Sequence, residues 1–223
     1  MDIACTQQFE NAVPGELCEE IIKAFEEHSE LQHEGRIGYG VDGTVVDKTA
    51  KDSTEIDLMH QPKLRYLADK LLEIIHEKLD STFLAVGEHL RDHVGLSEED
   101  VNFAMEYTFS PSIAIYSLSV QKIKAGTEYR WHQDSVPMDV RWNILLYLNT
   151  IEEGGKTIFA NGIEIQPKQG TLVFFPTTWT NYHKGEYIKG DTDKYIIAGH
   201  IFRSEVTHEV KPEDDPILKF LSR

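Results

Sequence analysis

From Pro14 to about His28, Leu17, Ile21, Ile22 and Phe25 recur at three- and four-residue steps beside pairs of glutamates. That spacing predicts an amphipathic helix, and Pro14 suits its first turn. A second helix is predicted from Pro62, where Leu64, Leu67, Leu71, Leu72 and Ile75 form one stripe; "TFLAVGEHL" either extends it or forms a third. "SEEDVNFAMEY" predicts a further helix, with Ser97 as its cap and Asp100 three residues on. After Pro111 the period changes to two. In "IYSLSVQKIK", Tyr116, Leu118 and Val120 alternate with Ser117, Ser119 and Gln121. "WNILLYLN", "KTIFA", "IEIQP", "TLVFF" and "KYIIAGHIF" follow, separated by "EEGG", "NG", "KQG" and "KGD". Short strands with such turn signals predict an all-β sandwich or barrel, with the helices packed outside it.

Between the first two helices, "HEGRIGYGVDGTVVDKTAKDST" is glycine-rich and without periodicity. So long an irregular stretch in a compact domain is read as a flap, about residues 33–52, beside an active site. The 223 residues, 40% hydrophobic, suffice for one good core and are read as a single domain, 1–223. Within it, 1–110 is a helical support region, 111–204 the β core and 205–223 a solvated tail.

Composition then excludes several classes. No apolar run approaches 18 residues, so no membrane span is expected. The first residues lack the basic and apolar segments of a signal peptide, and Cys5 and Cys18 are expected as reduced thiols, which points to a cytoplasmic protein. A net charge of −16 opposes a phosphate-tracking surface, so nucleic acid is not an expected partner.

The candidate chemistry begins at "YRWHQDSVP". Placed at a strand end, His132 and Asp134 face the same way while Gln133 points away. They supply two members of a 2-His-1-carboxylate facial triad, the ligand set of non-haem Fe(II) oxygenases. A histidine-x-aspartate pair also arises by chance, so a third ligand is required. His183 in "TWTNYHKGEY", 49 residues past Asp134, is the candidate. Lys194 follows 11 residues later. A buried cation there would neutralise the far carboxylate of a chelated dicarboxylate, because Fe(II), one aspartate, 2-oxoglutarate and one lysine sum to zero.

In that order, "HQD", "EEGGKTIF", "IQPKQGTLVFFP" and "HKGEYIKGDTDKY" resemble the prolyl 4-hydroxylase branch of the Fe(II)/2-oxoglutarate oxygenases, over roughly residues 112–203. "NAVPGELCEEII" resembles that branch's first helix. The resemblance implies a mainly β fold, a double-stranded β-helix (jelly-roll, cupin-like barrel) flanked by N-terminal α-helices. It makes His132, Asp134 and His183 the iron ligands, with Lys194, Thr157 and Tyr147 binding 2-oxoglutarate. The implied cofactors are Fe(II), 2-oxoglutarate and O2, with ascorbate (vitamin C) an open question. The implied reaction hydroxylates an unactivated C–H bond while 2-oxoglutarate becomes succinate and CO2, and the retained Asp134 favours hydroxylation over halogenation.

Two positions depart from the family pattern. Ile123 stands nine residues before His132, where many relatives carry tyrosine, and His200 stands six beyond Lys194, where tryptophan is frequent. On the substrate side, Arg130, Trp131, Trp179 and His200 are candidates, with core packing the competing reading for Trp131, Trp179 and His200. The other histidines (28, 33, 60, 76, 89, 93 and 208) are expected at the surface. The expected client is a prolyl residue of a protein or peptide. A free amino acid or other small metabolite, or a non-catalytic metal-binding module on the same fold, are the alternatives. Oligomeric state is open.

Overall fold

The computed structural model describes residues 6–38, 44–108, 113–134 and 140–203. In chain order, β1 (Gln7–Phe9) precedes helix α1 (Gly15–Glu27). Strands β2 (His33–Glu34), β3 (Ile37–Gly38), β4 (Thr44–Val45) and β5 (Ser53–Asp57) lead to helices α2 (Arg65–His89) and α3 (Glu98–Thr108). The second half contributes β6 (Ile113–Ile123), β7 (Tyr129–His132), β8 (Val140–Tyr147) and β9 (Thr157–Phe159). It continues with β10 (Glu164–Ile165), β11 (Leu172–Pro176), β12 (His183–Gly185) and β13 (Lys194–Arg203).

Among the described residues these strands form a major antiparallel sheet ordered β1-β11-β8-β13-β6-β5-β2, a minor one ordered β10-β9-β12-β7 and a separate β3-β4 pair. Period two assigns the two faces of the major sheet. Leu118 and Val120 of β6, Ile144 and Leu146 of β8 and Ile197 of β13 pack on Ile21, Phe25, Leu67 and Leu71 of α1 and α2. The opposite face, with Ile123, Tyr147, Val173 and Phe175, packs on Phe159 and Ile165 of the minor sheet. The site lies in this second layer, between the sheets.

The predicted helices and strands are present, with one correction. The first half is not wholly helical: β1 pairs with β11, and β5 pairs with β6. β1 is three residues, too short to display a period. β5 reads "STEID" and turns Ser53 and Glu55 inward, so its buried face is polar and gives no hydrophobic alternation. The expected flap also holds structure. β2 pairs with β5, and β3 pairs with β4, with Arg36 donating from Nε to Thr44 Oγ1 at 2.8 Å and to the Thr44 carbonyl at 2.6 Å. The tip of that stretch, 39–43, and the tail, 205–223, lie outside the described residues.

"TFLAVGEHL" extends α2, which passes into a wider turn at Leu90–Val94 and stops at Gly95, whose φ of 77° suits glycine. Ser97 caps α3 as expected: the Asp100 N–H donates to its Oγ at 3.1 Å. Cys18 is a buried free thiol whose pKa burial pushes up to about 11, while Cys5 lies outside the described residues. Of the described helices, none is long and apolar enough to cross a membrane.

Candidate active site

β7 and β12 bring the two histidines face to face, with His132 directly opposite His183. Their register then slips. Gly185 pairs with Tyr129, so β7 advances three residues while β12 advances two. Such a bulge re-aims side chains. Here it puts Tyr129 and His132 on one face despite their three-residue spacing, with rings stacked at 3.8 Å.

The residues between them, Arg130 and Trp131, are exposed. Trp131 stacks nearly parallel on Tyr182 at 5.9 Å, with the Lys184 ammonium 5.6 Å from its ring. Trp179, in the turn Trp179–Asn181, is 78% exposed. Arg130 donates its backbone N–H to the Ala50 carbonyl at 3.1 Å. The structure therefore gathers none of these three among the ligating side chains. Of the other histidines, His33, His60, His76 and His93 are exposed, His28 and His89 half-buried, and His208 lies outside the described residues.

His132, Asp134 and His183 do converge. One potential ligand atom from each lies within 4.8 Å of the others. Asp134 Oδ1 is 3.6 Å from His132 Nε2, and its Oδ2 is 3.5 Å from His183 Nε2. The backbone fixes the tautomers. His132 Nδ1 meets the Arg130 carbonyl at 2.7 Å and His183 Nδ1 meets the Asn181 carbonyl at 2.9 Å. A carbonyl only accepts, so each Nδ1 carries the proton and each Nε2 turns a lone pair inward. Burial pulls the His132 pKa down to about 4, against the opposing pull of Asp134, so this ring is neutral near pH 7. Burial also works against ionising Asp134, but the fields of His183, His132, His200 and Lys51 outweigh it and hold its pKa below the ordinary value. Two lone pairs and a carboxylate thus face one another with no donor among them. A divalent cation fits this donor set and resolves the mutual repulsion.

Asp134 is held from behind. Asn143 Nδ2 donates to its Oδ2 at 2.6 Å, and the Asn143 Oδ1 accepts from His200 Nδ1 at 2.8 Å. This places His200 one hydrogen bond behind the carboxylate, through Asn143. Asn143 was missed in the sequence because it sits in the apolar run "WNILLYLN". The signal was present: it shares the alternating inward face with Leu145 and Tyr147. Truncation at Asn143→Ala is expected to weaken divalent-metal binding about 10–100-fold. Titration with Co(II), read by its visible spectrum, tests this; wild-type affinity would refute the supporting role.

Deeper between the sheets, Tyr147 of β8 donates its hydroxyl to Thr157 Oγ1 of β9 at 2.7 Å, tying major sheet to minor. Burial pushes the Tyr147 phenol up, so it stays a donor. Lys194 is 3% exposed, with Nζ donating to the Gly155 carbonyl at 2.7 Å and lying 5.5 Å from the Tyr147 ring. No carboxylate reaches ion-pair distance of it among the described residues. Burial accordingly lowers its pKa to about 8. A buried ammonium supported by the field of Glu186, but by no carboxylate within ion-pair distance among the described residues, is costly and suits an anionic ligand.

One further pair escaped the sequence reading. Lys51 and Glu55 form an ion pair at 2.5 Å with side chains 6% and 10% exposed, and the Lys51 ammonium lies 5.3 Å from the Tyr129 ring that stacks on His132. Lys51 fell in the expected flap, where charge reads as solvated surface.

A family model described as the 2OG-Fe(II) oxygenase superfamily matches residues 118–202, the span that holds the triad and Lys194. The match covers less than half of the 223 residues and shows similarity to that superfamily over this span. This similarity supports a 2-oxoglutarate-dependent dioxygenase, a class that implies Fe(II), 2-oxoglutarate and O2. A search of curated proteins finds no match. Among solved structures, it resembles the viral collagen prolyl hydroxylase of Paramecium Bursaria Chlorella virus-1 in its 2OG complex, at 19% identity and TM-score 0.61, over 91% of this chain and 98% of that one. A Pseudomonas putida prolyl-4-hydroxylase is similar at 14% identity and TM-score 0.59, over 92% and 96%. A Trichoplax adhaerens prolyl hydroxylase, in complex with a hypoxia inducible factor oxygen degradation domain peptide fragment, follows at 14% and 0.62, over 91% and 85%. These likenesses show the fold, the double-stranded β-helix with flanking helices.

Proposed function

We propose that the protein is a 2-oxoglutarate-dependent oxygenase that hydroxylates a prolyl residue within a protein or peptide. His132, Asp134 and His183 hold Fe(II), and Lys194, with Thr157 and Tyr147, holds the distal carboxylate of 2-oxoglutarate. The observation that carries the cofactor assignment is a pair of complementary charge deficits. The triad offers three acceptors and no donor, and Lys194 is a buried cation without a carboxylate partner. A divalent metal chelated by a dicarboxylate satisfies both at once.

Bound Fe(II), with 2-oxoglutarate and O2, supplies the oxidant for C–H hydroxylation, and 2-oxoglutarate leaves as succinate and CO2. The chain's own residues orient and insulate. The Arg130 and Asn181 carbonyls fix the two imidazole planes, so both Nε2 atoms are aimed before metal arrives. Asn143 and His200 fix the Asp134 carboxylate. The Tyr147–Thr157 bond closes the sheets behind Lys194, and Phe159 and Phe175 pack on the His183 ring at 5.4 and 4.9 Å and exclude water. A low-dielectric site strengthens every charge–charge interaction within it.

The prolyl assignment is supported by the three similar structures described above, which are prolyl hydroxylases, one of them holding a peptide fragment. Product mass decides it. Proline-containing peptides incubated with enzyme, Fe(II) and 2-oxoglutarate are expected to gain one oxygen atom at proline, while free L-proline gains none. Oxidation of free proline alone would replace the peptide reading with that of a small-metabolite hydroxylase.

A further inference from the structure

The inner face of β5 and β6 is polar where a barrel core is ordinarily apolar. Glu55 stands opposite Gln121 in the β5–β6 register, on the face that also carries Ser53 and Ile123. Glu55 is engaged twice, by the Lys51 ammonium and by the Ser53 hydroxyl at 2.7 Å. Backbone closes over the pair at Gly35, where a Cβ would lie 2.0 Å from Ser53 Oγ and 2.6 Å from Glu55 Oε1. Gln121 differs. It is 9% exposed, no hydrogen bond ties its side-chain amide to another described residue, and the amide is not among the fully enclosed unpaired atoms, so it reaches the space between the sheets. An inward amide that still reaches solvent can exchange water for a ligand's amide at a net gain of about 0.5–1.5 kcal/mol per hydrogen bond.

This polar wall adjoins the triad. Lys51 lies against Tyr129, Tyr129 stacks on His132, and the Lys51 charge acts on His132, Asp134 and His200. Across the sheet from Gln121 stands Ile196, paired in turn with Tyr147. Gln121 therefore sits in the row between the triad's supports and the Lys194 end.

We infer that Gln121 is a substrate-recognition residue that takes a neutral amide, the backbone peptide group flanking the residue to be oxidised, with the Lys51–Glu55 pair as its rigid backing. The inference deepens the peptide reading above and rests on it. A carboxamide presents one acceptor and two donors, so it pairs at two points with another amide. Lys51 and Glu55 cancel each other, which leaves the wall without net charge. The ammonium and carboxylate of a free amino acid would each meet a residue already paired, whereas an amide-blocked residue meets Gln121 alone.

The test uses purified protein loaded anaerobically with Fe(II) and 2-oxoglutarate, whose chelate has a weak visible charge-transfer band. A panel of N-acetyl amino acid methylamides is titrated beside the corresponding free amino acids, reading displacement of the band. A blocked member is expected to shift the band where its free counterpart does not, and Gln121→Leu to weaken that response about tenfold, the loss of one buried amide pairing. Gln121→Asn, a shorter amide, should restore part of it. A response to free amino acids only, a response that Gln121→Leu leaves intact, no response to any blocked member, or no band at all would overturn the inference. So would a tenfold rise in the 2-oxoglutarate Kd of Gln121→Leu with substrate binding intact, which would move Gln121 to the cosubstrate site. If the responding member is not proline, the amide wall stands and the prolyl reading fails.

Discussion

Asp134→Ala is expected to lose Fe(II) binding at concentrations that saturate the wild type, while the metal-free protein stays folded. The carboxylate is the anionic member of a donor set that otherwise offers two imidazole lone pairs. Removing one partner of a buried charge pair costs about 4 kcal/mol, roughly a thousandfold in affinity. In the metal-free protein the same substitution removes a carboxylate held against two lone pairs at 3.5 and 3.6 Å, which offsets the hydrogen bond lost from Asn143. Thermal unfolding separates the two effects. Wild type should rise in midpoint on adding Fe(II) or Co(II) without oxygen, because ligand binding to the native state stabilises it. Asp134→Ala should start near the wild-type midpoint and show no rise. A full metal-induced shift in this variant would refute the triad.

The second large effect concerns Lys194. Its folded-state pKa of about 8 lies below the ordinary 10.5, so the unfolded chain binds the proton more tightly than the native one. Stability of the metal-free protein is therefore reduced below pH 8, by about 3 kcal/mol, and recovers as pH rises from about 8 towards 10.5. Lys194→Met should remove that pH dependence and leave the metal-free protein at least as stable at pH 7. It should also lower 2-oxoglutarate affinity at least about a hundredfold, the cost of leaving a carboxylate unpaired in a buried site. Wild-type affinity carries its own signature. A dianion requires the charged ammonium, so the 2-oxoglutarate Kd should rise up to about tenfold per pH unit above pH 8. Lys194→Arg, whose guanidinium stays charged, should flatten that slope. A wild-type Kd that is constant from pH 7 to 9.5 would exclude Lys194 as the anchor.

Both predictions concern residues that the sequence alone singled out, because their spacing follows from strand geometry. A two-residue step puts His132 and Asp134 on one side of a strand end. His183 and Lys194 open β12 and β13, and the antiparallel pairing returns them to the same interior. Local pattern likewise determined α1, α2, the Ser97 cap and every strand after Pro111 named from its alternation, since each follows from periodicity or capping chemistry within a few residues.

The tertiary structure decided what local pattern does not encode. β5 shows a polar inner face, so only its pairing with β6 identifies it as part of the barrel wall. The bulge in β7 sets Tyr129 on His132 and leaves Arg130 exposed, the reverse of what simple alternation would assign to those two residues. Asn143, Lys51 and Gln121 read in sequence as an ordinary polar residue in a strand, a flap charge and a solvent-facing strand position, and Glu55 carries no signal. Their roles depend on partners 4 to 66 residues away, such as Asp134, His200 and Glu55, that meet them only once the sheets close. The ligand set was legible because metal chemistry restricts residue type and spacing. The shell that aims it was not, because hydrogen bonds and ion pairs are satisfied in space, wherever the chain brings a donor to an acceptor.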